Sequence, residues 1–181
     1  MADVPAVYLK LFALQKRCRE HATGLPQQSE VIEYWSGIGF TMDGIKYVSP
    51  IAEVSEILPV PRYTRVPGVL GWMKGIANVR GRLLPIMDLI GYFNRKSALQ
   101  EKKRRLLVLD HGDIYSGLVV DEVMGMQHFP VDSYALDSGE QDEAIAPYTD
   151  GAYTREDGKW IVFSPHRLAQ DPRFLQVART G

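Results

Sequence analysis

From Trp35 to Phe163 the chain is a succession of short apolar stretches separated by recurring Asp-Gly or Gly-Asp pairs, a punctuation that suits hairpins and leaves little room for long helices. In "GIGFTMDGIKYVS" the Asp43-Gly44 pair sits between two such stretches, and glycine accepts the positive φ that a tight hairpin turn demands. "RLLVLDHGDIYSGLVVDEV" and "YTREDGKWIVF" repeat the arrangement. The pattern predicts strands over 39–42, 45–49, 54–58, 75–80, 83–87, 105–110, 113–120, 123–129, 147–154 and 159–163. Short helices are expected around Val69 to Met73, around Asp88 to Phe93, and in "SPHRLAQDPRFLQVA", where Ser164 and Asp171 each precede a proline and so serve as N-caps. The class is mostly β.

Two features organise this pattern. Before it, Val7, Leu11, Leu14 and Cys18 recur at spacings of four and three, with Lys10, Lys16, Arg17 and Arg19 opposite, which predicts an amphipathic helix. Such a helix can pack on its own domain or act as a partner-binding arm. Residues 1–35 are therefore read as a helical extension with its connection, and 36–181 as the main domain. Within that domain "FTMDGIKYVSPIAEVSEI" resembles "VLDHGDIYSGLVVDEVMGM", and "GRLLPIMDL" resembles "GKWIVFSPHRL". These paired segments lie roughly 70 to 77 residues apart and predict two similar β units, each too small to fold alone and so packed together.

Composition removes several function classes. With 181 residues, 45% apolar, there is enough chain for a full core, while a net charge of −1 gives no general electrostatic case for nucleic acid. The dense basic run Lys102 to Arg105 directly precedes "LLVLD" and reads as a solvated approach to a strand, the alternative being a nucleic-acid patch on a small β-barrel. No apolar run reaches the roughly 18 residues of a membrane span, and "MADVPAVYLKLF" lacks a leader pattern, so a cytoplasmic protein without direct membrane insertion is expected. The single Cys18 excludes an internal disulfide.

Catalysis finds no candidate. His21, His111, His128 and His166 include no pair at ligand spacing, Cys18 with His21 is half a zinc site, and no nucleophile elbow, phosphate loop or dinucleotide fingerprint is present. No metal or cofactor is expected. Asp88, Asp110 and Asp121 each close a strand-like run, where a carboxylate caps a turn or helix. Arg80 is less ordinary. In "GIANVRG" it shares one strand face with Ile76 and Asn78, while Ala77 and Val79 share the other, expected to be core. A guanidinium is a planar five-donor fork suited to the centre of an interface, although a local salt bridge fits the same spacing.

"VPGVLGWMKGIANVRGRLLPIMDL" resembles the signature of CheW-type chemotaxis coupling proteins, and the resemblance runs from about Ser36 to Leu168 through the Asp43-Gly44 hairpin, "AEVSEI", "SGLVVDEV" and "DGKWIVFSPHRL". It implies two intertwined five-stranded SH3-like barrels and a non-enzymatic adaptor that links the cytoplasmic tip of a chemoreceptor to the regulatory domain of a histidine kinase. It implies association with receptor-kinase arrays. By position, Arg80 matches the arginine of the family's Asn-x-Arg-Gly motif, Val54 the valine of its Val-x-Glu-Ile motif, and Lys74 and Gly75 its Lys-Gly step. Val54 and Ile57 are then expected as apolar groove contacts, Arg80 as a charge-assisted donor, and Gly75 as a point of close backbone approach, all at the receptor-binding site. The extension before Trp35 resembles the branch of the family serving type IV pilus twitching motility.

Overall fold

The computed structural model describes residues 32–139 and 142–178; the amphipathic segment with Val7 and Cys18 lies outside them. Strands β1 (Tyr34–Met42), β2 (Ile45–Pro50), β3 (Glu56–Pro59), β4 (Met73–Val79) and β5 (Arg82–Asp88) lead to a short helix α1 (Leu89–Tyr92). Then come β6 (Arg105–His111), β7 (Ile114–Val120), β8 (Glu122–Pro130), β9 (Tyr134–Ala135), β10 (Thr149–Arg155), β11 (Gly158–Phe163), α2 (Pro165–Gln170) and α3 (Pro172–Leu175). One sheet has the order β8-β1-β2-β11-β10-β9 and the other β3-β6-β7-β5-β4.

The internal repeat explains these orders. In each sheet a hairpin, β1–β2 or β6–β7, pairs antiparallel through its first strand with β8 or β3. Its second strand runs parallel to β11 or β5, the closing strand of a second hairpin. The strand that follows each opening hairpin in sequence leaves for the opposite sheet: β3 follows β2 but joins β6, and β8 follows β7 but joins β1. Each sheet thus combines the hairpin of one repeat with strands of the other: β1–β2 with β8, β9, β10 and β11, and β6–β7 with β3, β4 and β5. The result is two intertwined SH3-like barrels, the first built on β8-β1-β2-β11-β10-β9 and the second on β3-β6-β7-β5-β4.

This exchange dictates why several strands are apolar on both faces. On β6, Leu106 and Val108 enter the core of the second barrel, while Leu107 and Leu109 face a larger core shared between the barrels. On β11, Trp160 and Val162 fill the first barrel, and Ile161 and Phe163 join the shared core. Alternate side chains point to opposite sides of a strand, so burial of both sides requires the continuous runs "LLVL" and "WIVF".

The helix expected at Val69 to Met73 does not form. Leu70 N–H donates to the Val177 carbonyl at 2.8 Å, Val69 bridges Ala178, and the Trp72 ring stacks on Phe174 with centroids 5.3 Å apart. Gly68, at φ 74°, leaves the helical region, and the C-terminal tail supplies the backbone partners that a helix would have supplied internally. The strand expected from 54 starts at Glu56, because Ile51–Glu53 form a 3-10 turn closed by Val54 N–H on the Ile51 carbonyl at 3.2 Å. The caps follow the sequence: Asp88, Ser164 and Asp171 accept from the N–H groups of Gly91, Arg167 and Arg173.

Candidate functional site

Arg80 lies one residue beyond the strand assigned to it. Val79 pairs with Arg82, leaving Arg80 and Gly81 as a two-residue turn with φ of 52° and 83°. A two-residue hairpin whose twist matches its strands requires positive φ at both central positions; Gly81 adopts it freely, whereas Arg80 is held there against its Cβ. The Asn78 side-chain oxygen fastens the turn by accepting Gly81 N–H at 2.9 Å. The Arg80 side chain remains 77% exposed and ion-pairs with Glu56 on β3. Its spacing left a choice between an interface donor and an internal salt bridge; the structure contains the salt bridge and also leaves the guanidinium accessible.

Arg80 and Glu56 form one side of an open cavity of about 420 Å³ at the mouth of the second barrel, with Val79, Val108 and Tyr115 among its lining. On the other side Arg82 ion-pairs with Asp110, and its guanidinium lies 3.7 Å from the Tyr115 ring centroid. Two arginines, each faced by a carboxylate, can donate to acidic or carbonyl groups of a partner.

The remaining expected contacts divide by position. Ile57 stands opposite Leu107 in the β3–β6 register, on the shared-core side, whereas Glu56 stands opposite Val108, on the barrel-mouth side. Ile57 is 38% exposed and Val54 packs half-buried against the shared core, so they flank the space between the barrels. Lys74 and Gly75 occupy the opposite end of β4, roughly 20 Å from Arg80 at ~3.3 Å per residue. Lys74 Nζ is 3.3 Å from Asp88 Oδ2. Gly75, at φ 151°, meets its own chain: a Cβ there would lie 2.2 Å from the Thr64 carbonyl, which accepts Ile76 N–H at 2.9 Å. The close approach expected at Gly75 is therefore occupied internally by Thr64.

The sequence reading missed Arg104. Assigned to a solvated basic run, it is only 4% exposed and donates to both oxygens of Asp88 at 3.0 and 2.7 Å. Burial raises the Asp88 carboxyl, but the hydrogen bonds and charge of Arg104, with help from Gly91 N–H and Lys74, bring it below the usual carboxylate range. The available signal was Asp88 itself: a carboxylate closing a strand buried on both faces needs a buried cation. The fold also brings His111 and His166 together, with ring centroids 5.5 Å apart, although their separation in sequence suggested no pair. Among the described residues, no group of three or more His, Cys, Asp or Glu could hold a metal ion, and no helix is long and apolar enough to cross a membrane.

Known proteins place this geometry in context. Residues 36–173 match the model of the CheW-like domain. Protein PilI of Pseudomonas aeruginosa is 51% identical over 178 residues, covering 98% of this chain and 99% of that protein. Chemotaxis protein CheW of Helicobacter pylori is 33% identical over 112 residues, covering 61% and 66% of the two chains. The crystal structure of scaffolding protein TtCheW from Thermoanaerobacter tengcongensis shares the fold with a TM-score of 0.64 at 22% identity, covering 76% of this chain and 94% of that one. With its exchanged barrels and its Asn-Val-Arg-Gly turn, the chain belongs to the CheW-like family of chemotaxis adaptors.

Proposed function

We propose that this protein is a non-enzymatic adaptor that couples the cytoplasmic tip of a chemoreceptor to the regulatory domain of a chemotaxis-type histidine kinase, within the system that controls type IV pilus twitching motility. The pilus assignment is supported by 51% identity to PilI across nearly the whole of both chains. In this reading residues 36–181 form the coupling domain and 1–35 an extension to it, working in the cytoplasm within receptor-kinase arrays. Val54, Ile57, Lys74, Gly75 and Arg80 form the receptor-binding region: Val54 and Ile57 supply apolar contact, Arg80 and Lys74 supply donors, and Gly75 preserves the backbone course of β4.

The observation that carries the reading is the presentation of Arg80. A backbone conformation unfavourable to arginine holds an exposed guanidinium at a hairpin tip, paired with a single carboxylate that a partner's acidic group can replace. Individual contacts of this kind are modest, and repetition of the unit across an array supplies the remaining strength. Calorimetric titration with a purified receptor-tip fragment and, separately, with the kinase regulatory domain tests the proposal. Arg80→Ala is expected to lose receptor binding while retaining kinase binding; equal loss of both would make Arg80 a structural residue.

A further inference from the structure

Arg104 precedes β6 in the second barrel and is buried between two carboxylates that serve different parts of the fold. Asp88, at the end of β5, takes both terminal nitrogens of its guanidinium. Asp121 stands between β7 and β8, where the chain leaves the second barrel for the first, with Oδ1 3.6 Å from Arg104 Nε. The same Asp121 reaches into the first barrel. Its N–H donates to the Thr41 carbonyl at 3.1 Å, its Oδ2 accepts Asp43 N–H at 2.9 Å, and its Oδ1 accepts the Ser97 hydroxyl. With Lys74 on Asp88, polar contacts run from β4 through β5 and β6 to the β1–β2 turn.

We propose that Arg104 is a positioning residue, and that the Asp88–Arg104–Asp121 bridge fixes the angle between the two barrels and thereby the spacing of the surfaces on either side of β3. The shared core between the barrels is apolar, and apolar contact is non-directional, so neighbouring orientations bury similar areas. A two-pronged guanidinium-carboxylate pair accepts a narrow range of geometries and selects one of them. Stability is a poor explanation for retaining it, because burying three charges incurs a desolvation cost that apolar residues of similar volume avoid. Arg104 Nε also has no hydrogen-bond partner, so the guanidinium is held in place without full satisfaction.

The angle can be read without any partner, and the test is therefore independent of the proposed coupling role. Residual dipolar couplings of the full-length protein report the alignment of each barrel. In the wild type one tensor is expected to fit both barrels. In Arg104→Met/Asp88→Asn/Asp121→Asn, which removes all three charges together, each barrel is expected to keep its internal couplings while the two tensors diverge. Should this variant not fold, Asp121→Asn retains an acceptor for Asp43 N–H, removes the charge opposite Arg104, and carries the same measurement. A single tensor fitting both barrels in the folded variant would overturn the proposal, leaving the shared core as the element that sets the angle.

Discussion

Replacing Arg80 by two different residues separates what its backbone costs from what its side chain does. Holding a residue other than glycine in the left-handed region costs roughly 1–2 kcal/mol, and asparagine tolerates that region better than other side chains with a Cβ. The ion pair to Glu56 involves a guanidinium that is 77% exposed, and solvent screening limits such a pair to about 1 kcal/mol at most. Arg80→Ala removes the pair and leaves the strain, so a loss of up to about 1 kcal/mol is expected. Arg80→Asn removes the pair and much of the strain, creating the Asn-Gly sequence that two-residue hairpins favour. It is expected to exceed the alanine variant by about 1 kcal/mol, or roughly 2–4 °C in melting temperature for a domain of this size. Thermal unfolding followed by circular dichroism gives the stability difference, and titration with the receptor-tip fragment gives the functional one. Both variants are expected to lose receptor affinity alike, roughly 10- to 100-fold for one charge-assisted contact. An asparagine variant no more stable than the alanine variant would refute the strain argument, and undiminished receptor binding in either would refute the role of the guanidinium.

Other perturbations follow from the same structure. Ile57→Ser is expected to cost about 1–2 kcal/mol of stability, since the side chain is 38% exposed and the rest of its apolar surface is buried, and to weaken receptor binding about tenfold by titration. Gly75→Ala is expected to destabilise by about 3 kcal/mol through a positive φ and a clash with the Thr64 carbonyl, measured by urea unfolding; an effect below about 1 kcal/mol would show that β4 yields easily. Phe174→Ala removes a buried ring from Trp72 and is expected to cost about 3–5 kcal/mol, with a red shift of Trp fluorescence in the still-folded protein. Asp88 has a lowered folded pKa, so its ionised form stabilises the fold above its unfolded value of about 3.9, and that contribution is lost as pH falls through the folded pKa. Unfolding free energies measured from pH 6 downward should fall more steeply below about pH 4 in the wild type than in Asp88→Asn; parallel curves would remove Asp88 from the account of acid sensitivity.

Local chemistry fixed much of the fold in advance. The turn at Asp43-Gly44, the caps at Ser164 and Asp171, and the doubly apolar runs on β6 and β11 are each written within a few neighbouring residues. The repeat was legible for the same reason, since its two copies meet the same local demands. The exchange of β3 and β8 between sheets was not legible in local chemistry and was implied only by the family resemblance, because it is a choice among long-range pairings that have similar local patterns. The failed helix at Val69 to Met73 shows the same limit: partners on Val177 and Ala178, roughly a hundred residues away, outweighed short-range preference.

In the candidate site, residue identities were visible and their surroundings were not. The alternation of "GIANVRG" identified Ala77 as core and marked Arg80 as unusual, but could not reveal that the hairpin closes one residue early and turns Arg80 into a turn residue. Arg104 shows the division most clearly. By itself the sequence determined that a cluster of bases precedes an apolar strand, because charge and hydropathy are properties of each side chain. Only the tertiary structure decided which base is buried, because desolvating a guanidinium requires carboxylates brought from Asp88 and Asp121, and their meeting is a property of the packed barrels.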